Sequence, residues 1–329
     1  MRPICANPKA AVYVVLGGFF IASAAVADDQ LLPHEWLDRM AGAVQSTNYE
    51  GTVVRLQGDE LETLKVVHKV SDGVVREKVI VQDGDGVEFI RNGNEVHCIL
   101  PDSKSVLVEE WNDSSTLFST LPSSDVRFGS DYDVLIKQYD RVAGRQAVVL
   151  AIRPHDGYRY GYQLWLDVDT AFPLQTQLIG EDSQPLEQIT FADIRIDTDI
   201  LASALAPSYS TENWKWYSEP RREAAGESES DWVGDEVPPG FRVVSTKREI
   251  LPGSDEPVTH MLYSDGVANV SVFIAAGAAT DDTRQSSVGA SNSYSIVTNG
   301  HRITVVGEVP PVTVEQIARS MRRSAVVPD

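Results

Sequence analysis

The most regular alternation of apolar and polar positions in the chain lies in residues 156–182. Its first half predicts a β-strand with one apolar face. That face carries Tyr158, Tyr160, Tyr162, Leu164 and Leu166. Arg159, Gln163 and Asp167 alternate with them and are placed on the opposite face. Turn-forming residues at 169–173 interrupt the pattern before it restarts, so we predict a long antiparallel hairpin that needs neighbouring strands and a cover.

Short alternating runs separated by turns predict these neighbours. The runs are 52–57, 62–70, 74–82, 87–91, 95–100, 105–109, 133–141, 146–153 and 186–196. A helix is predicted over residues 31–44, where Trp36, Leu37, Met40 and Val44 share one face. Residues 111–124 lack a period of two and are predicted to form a short helix or a lid. One sheet of about ten strands under a few helices is an α+β arrangement that must curl.

Residues 207–231 are rich in Ser, Glu and Arg, and their last part has no apolar face at any period. This composition predicts a linker between a domain at 28–206 and a smaller one at 232–329. Three aromatic residues interrupt the linker, namely Trp214, Trp216 and Tyr217. The favoured interpretation is that they fix the linker to a domain, and the alternative is an exposed contact for a partner.

The smaller domain is predicted to be a sheet backed by one helix. Its predicted strands are 241–250, 259–263, 267–275, 294–298 and 302–307. Residues 277–291 are predicted to be a flexible polar loop. The helix follows the last strand, and Thr313 and Gln316 have the spacing of a capping box at its start.

The N-terminus has the organisation of a secretory signal peptide. Arg2 and Lys9 precede an apolar run at 10–24, and Ala25-Val26-Ala27 fits the cleavage pattern. Cleavage after Ala27 is favoured over a membrane anchor, because the run is short and contains two glycines. The mature protein is therefore expected to be exported and soluble.

The net charge and the cysteine content limit the classes of binding partner and of thiol chemistry that we expect. The chain has 28 basic and 48 acidic residues, and loss of Arg2 and Lys9 leaves 26 basic residues and a net charge of −22. This balance argues against nucleic acid or an anionic membrane as a partner through bulk electrostatics. Cys98 would be the one cysteine of the mature chain, and it is expected to be a buried strand residue rather than a reactive thiol.

No catalytic or metal-binding motif stands out. The six histidines lack metal-ligand spacing, and there is no G-x-S-x-G, P-loop or G-x-G-x-x-G pattern. The segment Asp167-Val168-Asp169-Thr170 resembles a phosphatase signature, but it lies at the tip of a predicted antiparallel hairpin and is interpreted as a turn. We therefore predict neither an enzyme nor a cofactor or metal site.

Four stretches in order along the chain resemble the MucB/RseB family, periplasmic regulators of a bacterial envelope-stress sigma factor. They are YRYGYQLWLDVDTAFPLQTQLI at 158–179, VPPGF at 237–241, MLYSDGVANVSVFI at 261–274 and ITVVGEVPPVTVEQIA at 303–318. The resemblance implies an N-terminal half-barrel similar to that of the periplasmic lipoprotein carriers, with an apolar cavity. It also implies binding of the periplasmic segment of a membrane anti-sigma factor of the MucA/RseA type, which is thereby shielded from proteolysis. Lipid, lipopolysaccharide (LPS) or mislocalised lipoprotein would release that segment.

Two groups of residues are candidates for these roles. The candidates for the ligand cavity are Tyr158, Tyr160, Tyr162, Leu164, Leu166, Phe118 and Leu121. The candidates for partner binding are Trp214 and Trp216. The alternative function is a lipid or lipoprotein carrier, which would not need the second domain, so that domain is expected to make the principal partner contact. Homo-oligomerisation is left open.

Overall fold

The computed structural model describes residues 31–110, 117–118, 121, 131–218, 225–227, 230–251, 256–277 and 282–324. The predicted signal peptide and most of the predicted lid lie outside these residues. The first part contains α1 (Pro33–Ser46), β1 (Tyr49–Gln57), β2 (Glu60–Ser71), β3 (Val74–Val81), β4 (Glu88–Asn92), β5 (Glu95–Leu100), β6 (Ser105–Glu110), β7 (Tyr132–Val142), β8 (Arg145–Pro154), β9 (Gly161–Asp167), β10 (Pro173–Ile179), β11 (Pro185–Ile196), a 3-10 turn (Ala202–Leu205) and β12 (Lys215–Ser218). The second contains β13 (Ala225–Glu227), β14 (Trp232–Gly234), β15 (Arg242–Ile250), β16 (Pro257–Ser264), β17 (Asn269–Ala276), β18 (Arg284–Val288), β19 (Ser291–Thr298), β20 (His301–Gly307), α2 (Pro311–Ser320) and β21 (Met321–Arg323).

Strands β1 to β12 form one sheet in the order β12-β6-β5-β4-β3-β2-β1-β11-β10-β9-β8-β7. Strand β1 pairs with both β2 and β11, so the first strand of the chain joins the two halves of the meander. Strand β7 approaches β11 although three strands separate them in the sheet. The sheet is therefore strongly curled, as the predicted half-barrel requires.

One face of this sheet, called the inner face from here on, carries the apolar side of the hairpin. Leu164 and Leu166 are fully buried and lie opposite Leu150 and Val148 of β8. Helix α1 contacts β7 and buries the predicted apolar face around Met40. Further aromatic rings pack together with centroids 4.7–6.4 Å apart, namely those of Tyr49, Phe118, Phe172 and Phe191.

The central hairpin is shorter than predicted. Strand β9 begins at Gly161, so Tyr158, Arg159 and Tyr160 belong to the loop 155–160 between β8 and β9. The side chain of Asp156 accepts a hydrogen bond from the Tyr158 backbone N–H at 3.0 Å, which fixes a turn where the alternation predicted a strand. Residues 158–160 alternate in sequence but lie in a loop, and the predicted strand begins only at Gly161.

Asp167 organises the other end of the hairpin. One of its carboxylate oxygens accepts hydrogen bonds from the Thr170 N–H and hydroxyl, each at 3.0 Å, and the other accepts one from Arg145 Nε at 2.5 Å. Burial raises the pKa of Asp167, but the hydrogen bonds from Arg145 and Thr170 outweigh it and bring the pKa below the usual value. The segment 167–170 thus forms a turn, as predicted.

The second part is a seven-stranded antiparallel sheet in the order β13-β15-β16-β17-β20-β19-β18. Helix α2 packs on one face, where Val314 and Ile317 are fully buried. Two details of the prediction are wrong. The predicted loop at 277–291 contains β18, which pairs with β19. Thr313 is the third residue of α2 and makes no capping box, because Pro310 is the residue before the helix.

The predicted linker contains part of the larger sheet. Strand β12 lies parallel to β6 at one edge, with Trp216 opposite Val106.

Among the described residues, no helix combines the length and apolar character needed to cross a membrane. A large curled sheet followed by a smaller sheet with its own helix confirms the predicted α+β class.

Replacing Leu164 by Ala is expected to lower the free energy of unfolding by about 2–5 kcal/mol, because a fully buried leucine leaves a cavity when truncated. Leu61, which is 64% exposed on β2, serves as the control, and its change to Ala should cost no more than about 0.5 kcal/mol. Urea denaturation of both variants measures the difference. Equal losses would show that the inner face does not carry the core.

Candidate functional site

The inner face holds most of the candidates for a ligand cavity. Leu164 and Leu166 are fully buried, and the Phe118 ring lies 5.6 Å from that of Phe172. Leu121 and Tyr162 line a cavity of about 30 Å³, which is bounded also by Thr176, Leu178 and Glu308. Such a cavity holds about one or two water molecules, whereas ligand pockets start at about 300 Å³. Side chains fill this part of the inner face, so an acyl chain could enter only if they moved.

A larger groove of about 720 Å³ lies mainly on the opposite face, at the ends of β7 to β10. Its lining is polar, and it includes Lys137, Gln163 and Gln177. Lys137 donates a hydrogen bond to Gln163 at 2.8 Å, and Gln177 donates one to Gln188 of β11 at 2.5 Å. These groups come from β7, β9, β10 and β11 and form a polar strip, which differs in chemistry from the predicted apolar cavity.

Tyr158 and Tyr160 lie at the contact between the two sheets, called the domain junction from here on. The Thr313 hydroxyl of α2 donates to the Tyr158 carbonyl at 2.6 Å. The buried side-chain amide of Asn292 on β19 donates to the Tyr160 hydroxyl at 3.1 Å. Ala290 N–H donates to the Glu187 carboxylate of β11 at 3.3 Å. The loop 155–160 therefore acts as the docking surface for the second sheet.

Arg159 lies at the centre of the domain junction. Its side chain is 0% exposed, and its Nε is 3.1 Å from a carboxylate oxygen of Asp265, which is also 0% exposed. The Tyr132 hydroxyl donates to the same oxygen at 2.7 Å. Burial, and then the charge of Asp265, raises the pKa of Tyr132, so the phenol stays protonated and donates. The sequence pattern placed Arg159 on the polar face of a strand and gave no indication of this role.

Of the partner candidates, Trp216 lies on the edge strand β12, and Trp214 directly precedes that strand. Trp216 is 50% exposed, and its ring lies edge-on to His97 at 5.2 Å. Trp214 is half-buried, with its ring 5.8 Å from that of Tyr209. The segment is thus attached to the larger sheet, while half of the Trp216 side chain remains available on the surface.

Ser271, His260 and Glu249 form a chain of contacts on the second sheet. The Ser271 hydroxyl is 3.0 Å from His260 Nε2, and Glu249 is 2.8 Å from His260 Nδ1. Burial lowers the pKa of His260 against the opposing effect of Glu249. Ser271 lies on β17, which is hydrogen-bonded to β16 and β20, so the neighbouring N–H groups are used in the sheet. An oxyanion needs free donors, and we therefore assign these residues no nucleophilic role.

Metal binding and thiol reactivity are the other two kinds of site to consider in the described residues. No group of three His, Cys, Asp or Glu side chains there could hold a metal ion. Cys98 is half-buried on β5 rather than fully buried, and burial, with a contribution from Glu109, raises the pKa of its thiol. A protonated thiol is a poor nucleophile.

Comparison with known proteins identifies relatives of both sheets. The family model described as MucB/RseB N-terminal domain matches residues 32–209, and the MucB/RseB C-terminal domain matches residues 226–322. The sigma factor AlgU regulatory protein MucB of Pseudomonas aeruginosa is 32% identical over 95% of this chain and 96% of its own length. The sigma-E factor regulatory protein RseB of Salmonella typhimurium is 30% identical over 96% and 98%. A complex of Pseudomonas aeruginosa MucA and MucB contains a chain with a TM-score of 0.68 and 30% identity, covering 89% of this chain and 99% of that one.

Glu308 makes stability at the domain junction depend on pH. It lines the 30 Å³ cavity together with Glu187, and burial, followed by the Glu187 charge, raises its pKa above the usual 4.5. A raised pKa in the folded state favours folding at low pH, and this contribution is lost as the pH rises through the folded-state pKa. Glu308→Gln should therefore be more stable than the parent protein at pH 8, with the advantage vanishing near pH 4. Thermal unfolding across this range tests it, and an advantage that is independent of pH would contradict the assignment.

Proposed function

Because the chain belongs to the MucB/RseB family, we propose that it is a periplasmic regulatory binding protein. Its partner is the periplasmic segment of a membrane-bound anti-sigma factor of the MucA/RseA type. Bound to this protein, the segment is shielded from the protease that starts the envelope-stress signal, and the sigma factor stays restrained. The observation that carries the proposal is the match of both family domains, in order, over nearly the whole chain. The signal peptide predicted from the sequence, with cleavage after Ala27, is consistent with this location.

The proposal includes release by a lipid. The inner face, with Tyr162, Leu164, Leu166, Phe118 and Leu121, is the surface to which an acyl chain from lipid, LPS or a mislocalised lipoprotein would bind. Leu164, Leu166 and Phe118 are buried, and Leu121 and Tyr162 border the small cavity. Binding of an acyl chain would therefore rearrange the inner face, where Tyr162 borders the same cavity as Glu308 of the second domain. Lipid could thus alter the partner-binding surface without touching it.

A lipid or lipoprotein carrier is the alternative function. A carrier needs the inner face but has no need of the second sheet. Here the second sheet is joined to the first by hydrogen bonds and a buried ion pair. This connection favours the regulatory function, and so does the naming of the relatives as regulatory proteins.

The experiment that tests the proposal is protease protection. The purified periplasmic segment of the anti-sigma factor is treated with the protease that starts the signal, with and without the protein from residue 28 onward. Protection is expected, and added lipid should weaken binding of the segment by about 5- to 150-fold, with the segment weakening lipid binding by the same factor. An unprotected segment would exclude the regulatory function. Affinity that lipid leaves unchanged would exclude the release mechanism.

The two tryptophans at the start of β12 give a second test. Replacing Trp214 and Trp216 together by Ala should weaken binding of the segment by about 2 kcal/mol, roughly 30-fold, because tryptophans are frequent hot spots of interfaces. Tyr139→Ala is the matched control, since Tyr139 is 56% exposed on β7 at the other edge of the same sheet. Isothermal titration measures all three proteins. Equal affinities would show that the tryptophans only attach the segment to the sheet.

A further inference from the structure

The two domains meet at a buried charge from each. Arg159 belongs to the loop 155–160 of the first domain, and Asp265 belongs to the turn between β16 and β17 of the second. Both side chains are excluded from solvent, and Nε is 3.1 Å from Oδ2. A buried charge without a partner is unfavourable, so each of these residues requires the other domain to be in place.

Asp265 is held rigidly by its own turn. Its Oδ1 accepts hydrogen bonds from Val267 N–H at 2.8 Å and from Ala268 N–H at 2.7 Å. This leaves Oδ2 for the Tyr132 hydroxyl at 2.7 Å and for Arg159. The two oxygens of one carboxylate thus face different domains, and the direction of Oδ2 is fixed by the turn.

The guanidinium group is fixed in orientation as well as in position. Its central carbon is 5.4 Å from the Tyr132 ring and 5.1 Å from the Phe241 ring, and Nη2 donates to the Pro239 carbonyl. Gly240, between Pro239 and Phe241 in the chain, has a φ of +83°. A Cβ built at Gly240 would be 2.5 Å from an Asp131 carboxylate oxygen. A planar fork held by an ion pair, a carbonyl and two rings has one favourable orientation.

Arg159 also balances more than one negative charge. Asp131 and Asp156 lie at 3.7 and 3.6 Å from its nitrogen atoms, and both are partly exposed. Loss of the guanidinium group would leave Asp131 and Asp156 of the first domain and Asp265 of the second without the positive charge that lies among them. Repulsion among them would then separate the two domains.

We infer that Arg159 and Asp265 form a latch that sets the relative orientation of the two domains, and that Arg159 is thereby a positioning residue for partner binding. The second half of this inference rests on the proposed function, whereas the first half does not. The neighbouring hydrogen bonds at Thr313 and Asn292 close the domain junction, and the latch determines the angle at which it closes.

The experiment measures the distance between the domains directly. Spin labels are attached through Leu61→Cys and Val244→Cys, which are 64% and 48% exposed and lie on β2 and β15, in a Cys98→Ser background of the protein from residue 28 onward. The protein with an intact latch should give one narrow distribution by pulsed electron paramagnetic resonance. Arg159→Gln should broaden or shift it. Asp265→Asn should have the same effect. Its side-chain oxygen can still accept the hydrogen bonds from the Val267 and Ala268 N–H groups, so this variant serves as the test if Arg159→Gln does not fold.

The matched control is Arg145→Gln. It removes a guanidinium that pairs with the buried Asp167 at 2.5 Å, inside the first domain and away from the domain junction. This variant should leave the distance distribution narrow and unshifted. An unchanged distribution in folded Arg159→Gln or Asp265→Asn would overturn the latch, and so would an equal change in Arg145→Gln.

Binding of the anti-sigma segment separates the two halves of the inference. Both latch variants should bind about 5- to 150-fold more weakly than the parent protein, the range typical of coupled sites, while Arg145→Gln binds normally. Altered distances with unaltered binding would keep the latch and overturn its role in positioning. Failure of the parent protein itself to bind would overturn the proposed function and with it the positioning role, while the distances would still decide the latch.

Discussion

The structure depends first on covering the apolar inner face of one curled sheet. Each fully buried leucine or aromatic residue on that face contributes about 1.5–3 kcal/mol relative to an exposed one, and α1 and the rings around Phe172 provide the cover. A protein that also binds a lipid on this face must exchange these contacts for contacts with the ligand. The described part of the inner face has room for little more than water beside Leu121 and Tyr162. In the proposed mechanism, lipid sensing and stability use the same surface, and ligand binding therefore requires a rearrangement.

The route by which such a rearrangement reaches the second domain follows from the topology. Strands β9 and β10 carry Leu164 and Thr176 on the inner face, and the loop that enters β9 carries Tyr158, Arg159 and Tyr160 into the domain junction. Tyr162 lies between the two regions and borders the same cavity as Glu308 of the second domain. A shift of β9 along its own axis would therefore move the loop that holds the second sheet. Coupling between the inner face and the domain junction would require that this loop have two discrete arrangements.

Local sequence patterns predicted the elements because each strand has its own period and its own turn. The meander, the hairpin from Gly161 onward, the apolar face of α1 and the helix after β20 all follow from such short-range rules. The rules were insufficient where a residue has a partner far along the chain. Residues 284–288 look like a polar loop, yet they pair with β19. Thr313 has the spacing of a cap, yet its hydroxyl binds the Tyr158 carbonyl in the other domain.

The same limit explains why the centre of the domain junction was not predictable. Ser264-Asp265-Gly266 is a sequence typical of turns, and the two hydrogen bonds that Asp265 accepts from N–H groups of its own turn are enough to explain the aspartate locally. Arg159 alternates with tyrosines, which is enough to explain it as the outward residue of a strand. The local sequence is enough to explain why each of the two residues is present. Only the tertiary structure shows that one oxygen of Asp265 remains for Arg159. Breaking such a buried pair by removing one member typically costs about 3–5 kcal/mol, because the other charge is left without compensation. A loss of that size is a large part of the stability of most domains, so the orientation of the two domains depends on residues whose importance no single stretch of the sequence reveals.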